Sequence, residues 1–95
     1  MKKINKKLNF TDAQEMAIIH PNTFSAPSKQ ELDSIKVGDC VKVSHIDERF
    51  WNVVKKIKGD TITAEVNNDL ICKHPFKCGD EIVFEKRHVY CIFDK

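Results

Sequence analysis

Residues 36–44 have the sequence KVGDCVKVS, and this stretch indicates the fold class. Glycine at position 38 can adopt the positive φ that a tight turn needs, and Asp39 can hydrogen-bond to the backbone just beyond it. After the turn, Val41 and Val43 alternate with polar residues, which is the two-residue period of a strand with one buried face. The stretch therefore predicts a turn that leads directly into a β-strand.

The same Gly-Asp signal occurs at Gly59-Asp60 and at Gly79-Asp80. Each pair precedes a run in which alternate residues are apolar: Ile62, Ala64 and Val66 after the first, and Ile82 and Phe84 after the second. Because the segments between these signals do not match one another, we interpret them as recurrent turn chemistry, with no structural repeat.

Two more strands complete the prediction. One covers residues 49–57 and follows a turn at Asp47-Glu48, and the other covers residues 88–93. Short strands joined by tight turns are typical of a small barrel that removes most of its own edges. We therefore predict a mainly β domain with some helix (α+β), an SH3-like, partly open five-stranded barrel over residues 36–95. An open meander is the alternative.

Helical signals precede the strands. Residues 11–14 and 28–31 both match a capping box, in which a hydroxyl side chain and a polar residue three positions later satisfy backbone N–H groups reciprocally. Pro21 would stop the first helix, and Gly38 follows the second. We predict a short helical segment over residues 11–35 and a flexible basic arm over residues 1–10.

The charge distribution argues against a generally basic surface. Of the 16 Lys and Arg residues, four lie in the arm, which leaves 12 against 14 Asp and Glu in the body. A body with this balance is not a typical nucleic-acid-binding domain. Nucleic acid stays an alternative partner only through the arm, whose cations could contact phosphates without sequence preference: Lys2, Lys3, Lys6 and Lys7.

The N-terminal region does not resemble a secretory signal. Its longest apolar run, Met16 to Ile19, is too short for a signal core or a membrane span. We therefore expect a cytoplasmic protein without membrane contact, and in that compartment the four cysteines stay reduced.

An ordered series of motifs resembles a known family. The motifs are VGD and VKV within 37–43, ERFW at 48–51, VNNDL at 66–70, and CGD followed by FE-x-x-HV within 78–89. This series is similar to that of a family of small uncharacterised bacterial and phage domains, a domain of unknown function. The resemblance covers roughly residues 35–92. It implies an SH3-like barrel and a setting in host–phage interaction, and it brings no activity with it.

The adjacent aromatics Phe50 and Trp51 are the first candidate binding feature. Neighbouring side chains on a strand point to opposite faces, so one ring belongs in the core and the other faces outward. The outward ring is either a recognition platform or covered by the N-terminal segment, and we favour cover by Ile18, Ile19 and Phe24. The candidate binding residues are Glu48, Arg49, Trp51 and the predicted tight turn at Asn67, Asn68 and Asp69.

A metal or catalytic site is a weaker alternative. Cys72, Cys78, His88 and Cys91, with His74 nearby, could supply zinc ligands, but their spacing contains no Cys-x-x-Cys knuckle. Cys78 or Cys91 with His74 or His88 could form a nucleophile–base pair, yet no orienting group or oxyanion hole accompanies them. We predict no catalytic residues and no cofactor.

These observations favour a non-enzymatic binding module with a protein partner. The engaged surface would be a strand face or edge near Trp51 and residues 67–69. The alternatives are a nucleic-acid-binding accessory protein that uses the basic arm, and a small zinc-stabilised domain. The oligomeric state stays open.

Overall fold

The computed structural model describes residues 8, 10–22, 25–46 and 48–93. Two short helices precede five strands, and a 3-10 helix separates the last two strands. The elements are α1 (Ala13–Ile19), α2 (Lys29–Asp33), β1 (Cys40–His45), β2 (Glu48–Lys58), β3 (Thr61–Val66), β4 (Glu81–Glu85), the 3-10 helix (Lys86–His88) and β5 (Cys91–Ile92).

The five strands form one antiparallel sheet in the order β4-β3-β2-β1-β5. Strands β4 and β5 lie at opposite ends of this order and do not pair with each other, so the sheet is not closed. The predicted mainly β class and partly open five-stranded barrel are confirmed. Within the described ranges, no helix is both long and apolar enough to cross a membrane.

The core lies on the inward face of the sheet. Alternate residues of each long strand are buried, as the two-residue period predicts: Val41, Val43, Phe50, Val54, Ile62, Ala64, Val66, Ile82 and Phe84. Residues outside the strands close the open side of this core: Phe10, Leu32, Ile35, Phe76 and Val89.

Two of the three Gly-Asp pairs form the same turn. Gly38 and Gly79 have φ values of 96° and 95°, and each occupies the third position of a four-residue turn closed by a backbone hydrogen bond. A type II turn requires a positive φ at that position. In each turn the aspartate accepts from the N–H three residues earlier, at 3.0 Å for Asp39 and 3.1 Å for Asp80. The predicted bond to the backbone beyond the aspartate is therefore wrong in direction.

We expect Gly79→Ala to lower the free energy of unfolding by about 1–2 kcal/mol. A Cβ at Gly79 would meet no atom within 4 Å, so the cost comes from the backbone conformation alone. Gly79→Asn is the matched variant, because asparagine tolerates positive φ, and it should cost less. Urea denaturation of the two variants measures the difference. Equal losses would contradict the conformational explanation.

The β1–β2 hairpin differs from the predicted one. His45 pairs with Glu48, so the turn lies between these two residues, and Glu48 belongs to β2 and not to the turn predicted at Asp47-Glu48. Ile46 has a φ of 49° there. This turn places Lys42 directly opposite Trp51. Gly59-Asp60 joins β2 to β3 as predicted, with Lys58 paired to Thr61.

The chain between β3 and β4 is a long connection where a tight turn was predicted. β3 ends at Val66 and β4 begins at Glu81, so Asn67–Asp80, here called the β3–β4 loop, connects them. The loop contributes Phe76 to the core. The last strand is also shorter than predicted, because residues 86–88 form the 3-10 helix.

The helix caps match the prediction in part. Ser28 and Glu31 form the predicted reciprocal capping box of α2. In α1, however, the N-cap is Asp12, whose carboxylate accepts from the Glu15 N–H at 3.0 Å, so the predicted cap at Thr11 is wrong. Gln14 donates instead to the carbonyl of Pro27, which joins α1 to the segment before α2.

Two residues of the predicted arm, Leu8 and Phe10, belong to the core region. Phe10 forms an antiparallel bridge with His45 and is buried, and Leu8 packs against the core. The arm prediction is therefore wrong for these two residues, since burial of Phe10 completes the apolar side of the barrel. The rest of the predicted arm lies outside the described residues, including Lys2, Lys3, Lys6 and Lys7.

Candidate functional site

The outer face of β1 and β2 carries the first predicted binding residues. Phe50 is buried in the core, and Trp51 lies on the opposite face with Arg49, as strand alternation requires. The register places Lys42 opposite Trp51 and Ser44 opposite Arg49. Two predicted binding residues therefore share a face with a lysine that the sequence did not single out.

Two cation–aromatic pairs lie on this face. The Lys42 Nζ is 4.8 Å from the centre of the Trp51 ring, and the Arg49 Cζ is 4.4 Å from the centre of the Tyr90 ring. Phe93 meets Trp51 edge-on, at a centroid distance of 5.7 Å and an interplanar angle of 88°. These five residues are here called the outer cluster. Each cation over a ring contributes about 0.5–1 kcal/mol at an exposed site.

The predicted cover over Trp51 is not present. Ile18 and Ile19 in α1 are 79% and 55% exposed, so they do not bury the ring, and Phe24 lies outside the described residues. The neighbour of Trp51 is instead Phe93, which is itself 53% exposed. The outer cluster therefore keeps an exposed apolar edge beside its two cations.

The β3–β4 loop holds the backbone of Trp51 from the other side. The Trp51 carbonyl accepts from the Asn67 N–H at 2.9 Å, and the Trp51 N–H donates to the Asn68 Oδ1. Two predicted binding residues thus position Trp51 through its main chain. Asp69 is exposed and lines a recess in the loop, so the structure places it outside the outer cluster.

Glu48 anchors the loop and does not belong to the outer cluster. It lies on the Phe50 side of β2, where its carboxylate accepts from the backbone N–H groups of Ile71 and Cys72 at 2.8 Å each. The same carboxylate lies 2.7 Å from the His74 Nε2. Donation from Ile71, then from His74 and Cys72, lowers the pKa of Glu48 to about 2. Glu48 is therefore ionised at neutral pH.

A pair of histidines continues this anchor into the core. The Nδ1 atoms of His45 and His74 are 2.7 Å apart, and the His74 side chain is 0% exposed. The His74 ring stacks on Phe76 at 5.1 Å and 19°. Burial, and then the charge of His74, lower the pKa of His45 from its ordinary value. His45, His74 and Glu48 are here called the His–His–Glu array.

Of the residues of the alternative zinc site, Cys72 and Cys78 line one recess with His74, whereas His88 and Cys91 lie in the 3-10 helix and in β5. Cys72, Cys78 and Cys91 are exposed, and the His88 Nδ1 accepts from the Glu85 N–H at 3.0 Å. Burial, and then the charge of Arg87, lower the pKa of His88. In the part of the chain that the structure describes, no group of three or more His, Cys, Asp or Glu side chains could hold a metal ion. We therefore treat none of them as a metal ligand.

The hydrogen bonds of His74 do not favour it as the base of the alternative nucleophile–base pair. Both ring nitrogens of His74 are engaged, one with Glu48 and the other with His45. Neither nitrogen is then left to accept a proton from Cys78 or Cys91. The arrangement around His74 is suited to holding the loop in place.

Several residues of these sites were not predicted from the sequence. Lys42 could have been found from the hairpin, because pairing of His45 with Glu48 places Lys42 opposite Trp51. Tyr90 and Phe93 reach the cluster only after the 3-10 helix shortens the last strand. The His45–His74 contact joins residues 29 positions apart and has no local signal.

Comparisons with known proteins add no family to this geometry. No family model matches the chain, and no curated protein and no solved structure matches it either. The candidate sites therefore rest on the contacts of the chain's own residues.

Proposed function

We propose that this protein is a non-enzymatic binding module that holds an acidic segment of a protein partner on the outer cluster. The observation that carries the proposal is the pair of neighbouring cation–aromatic contacts, Lys42 on Trp51 and Arg49 on Tyr90. They combine two positive charges with the exposed edge of Phe93 on one face of the sheet. Aromatic residues and arginine are enriched at protein interfaces.

The arrangement of charges favours carboxylates as ligands. Lys42 and Arg49 lie over the ring faces, so their charged groups are presented together with aromatic edges. Carboxylates of a partner would complement these charges and increase the association rate. A nucleic-acid base would instead need a bare ring face for stacking, and would have to displace the cation that lies there. The cluster therefore fits an acidic peptide better than single-stranded nucleic acid.

The setting of Trp51 supports a preformed site. Its backbone is bound on both sides by the β3–β4 loop, through Asn67 and Asn68. Its strand pairs with β1 on one side and β3 on the other. A ligand then binds without first having to order the strand, which reduces the entropic cost of association. The family resemblance of the sequence would place such a module in host–phage interaction.

The test uses the single tryptophan of the chain as the reporter. A short peptide in which glutamate alternates with leucine is titrated into the protein at low salt, and Trp51 emission is followed. We expect saturable binding that weakens as salt is added, because the contacts are exposed ion pairs. The double variant Lys42→Glu/Arg49→Glu should lower the affinity at least about tenfold.

Matched controls separate this site from general charge effects. Lys29→Glu/Lys36→Glu changes the net charge equally at exposed positions outside the outer cluster, and its affinity should stay near that of the unsubstituted protein. A peptide with glutamine in place of glutamate should not bind. Equal loss in both double variants would overturn the proposal. Stronger binding of oligothymidylate than of the acidic peptide would replace it with single-stranded nucleic-acid binding.

A further inference from the structure

The tautomers of the His–His–Glu array follow from its hydrogen bonds. An ionised carboxylate only accepts, so the His74 Nε2 carries the proton of the contact with Glu48. In a neutral imidazole the other nitrogen is then an acceptor, so the His74 Nδ1 accepts from the His45 Nδ1. With both imidazoles neutral, the array is therefore a directed chain, in which His45 donates to His74 and His74 donates to Glu48.

One added proton leaves this chain intact. If the proton binds the His45 Nε2, the Nδ1–Nδ1 hydrogen bond is unchanged. If the shared proton then moves to the His74 Nδ1, His74 becomes a cation beside Glu48, and the His45 Nδ1 becomes the acceptor. In both forms one Nδ1 donates and the other accepts, so the contact survives.

A second added proton removes the contact. Both Nδ1 atoms then carry a hydrogen, and two donors at 2.7 Å have no acceptor between them. Two imidazolium charges would also face each other, and of the two rings His74 is the one hydrogen-bonded to the Glu48 carboxylate. Both side chains are buried, so the lost bond and the facing charges are costly, and movement of the loop away from His45 relieves them.

We propose that the His–His–Glu array is a proton-counting latch, which keeps the β3–β4 loop on the sheet until two protons have bound and then releases it. Release would free the Trp51 backbone, because Asn67 and Asn68 belong to the same loop. Acidification would thereby regulate the outer cluster. That consequence rests on the proposed function, but the latch itself does not.

The groups that face the histidine pair come from each neighbouring element. Glu48 on β2 is the acid in hydrogen-bond contact. Within the loop, Asp69, Cys72, Lys73, Lys77 and Cys78 line the same recess as His74. From the N-terminal segment, Phe10 packs on His45 at 5.4 Å and separates it from His88 of the 3-10 helix. Glu48 therefore stabilises one added positive charge and cannot stabilise two equally.

The direction of the pH effect agrees with this geometry. The pKa of His45 in the folded protein lies below its ordinary value of 6.5, so the unfolded chain binds protons first as the pH falls. The contribution of neutral His45 to the free energy of unfolding is fully present above about pH 6.5 and is lost progressively as the pH falls below it. Glu48, whose pKa falls from 4.5 to about 2, keeps its charge until far lower pH.

The test is an NMR titration of the protein alone from about pH 8 to pH 4. It follows the ring nitrogens of His45 and His74 and the exchange of the Ile71, Cys72 and Trp51 amides. We expect the first proton to leave the protection factors of these amides unchanged. The second proton should lower their protection factors at least about tenfold. Unchanged protection down to about pH 4, or release on the first proton, would overturn the latch.

Variants assign the transition to the array. His45→Phe leaves one imidazole in the array, so two protonated rings can no longer face each other. The pH-dependent release of the loop between about pH 8 and pH 4 should therefore disappear. His20→Gln and His88→Gln change histidines outside the array and should leave the release unchanged. Peptide affinity for the outer cluster, measured separately at neutral pH, decides the proposed function. If the peptide does not bind at neutral pH, the proposed function is rejected. The latch is still decided by the amide protection measured in the titration.

Discussion

Phe76→Ala is expected to lower the free energy of unfolding by about 3–5 kcal/mol, the range for removing a buried phenylalanine. Phe76 belongs to the β3–β4 loop, yet it is buried against Phe50 at 5.5 Å and His45 at 5.2 Å. It also stacks on His74. Truncation would leave a cavity beside the histidine pair and remove the apolar anchor of the loop. Since domain stabilities are about 5–15 kcal/mol, the loss would be a large fraction of the total.

Guanidinium denaturation followed by Trp51 emission measures this change. Ile71→Ala is the matched control, because Ile71 lies in the same loop but is 94% exposed, and its effect should stay within about 0.5 kcal/mol. Phe76→Leu should fall between the two, since it keeps most of the buried volume. Similar losses for Phe76→Ala and Ile71→Ala would show that the loop does not pack on the core.

Phe10→Ala is expected to cost about 3–5 kcal/mol for the same reason, although the sequence places this residue in a flexible arm. Its ring lies 5.7 Å from Phe84 and 6.4 Å from Phe76. Its backbone pairs with His45, and the Thr11 N–H donates to the Ser44 carbonyl at 3.0 Å. The N-terminal segment therefore pairs with the end of β1 that β5 does not reach, and it fills the open side of the barrel.

Thermal and urea unfolding of Phe10→Ala, compared with Ile18→Ala, checks this role. Ile18 is an apolar residue of the same N-terminal region whose side chain is exposed, so its truncation should change stability by less than about 0.5 kcal/mol. A loss below about 1 kcal/mol in Phe10→Ala would mean that the ring contributes little to the core. Phe10 would then behave as part of the arm predicted from the sequence.

The candidate sites show which of their features local sequence patterns predict and which they do not. Strand alternation predicted that one of Phe50 and Trp51 faces the core and the other faces outward, because neighbouring strand residues face opposite sides. The structure shows that Phe50 is the buried one. The same pattern could not identify the partner of Trp51, since the predicted turn at Asp47-Glu48 does not give the register that places Lys42 opposite Trp51. Glu48 was identified as functional for a binding role, whereas the structure shows it holding Ile71, Cys72 and His74.

The sequence by itself determined the mainly β class, the buried face of each long strand and the Gly-Asp turns. These features depend on a two-residue period and on a positive φ, which nearby residues specify. Only the tertiary structure decided the β3–β4 loop, the outer cluster and the His–His–Glu array. An Asn-Asn-Asp stretch carries turn signals whatever follows it, but burial of Phe76 depends on contacts with residues far away in the chain. Hydrogen bonds such as that between His45 and His74 form only after the sheet register and the core have brought distant residues together.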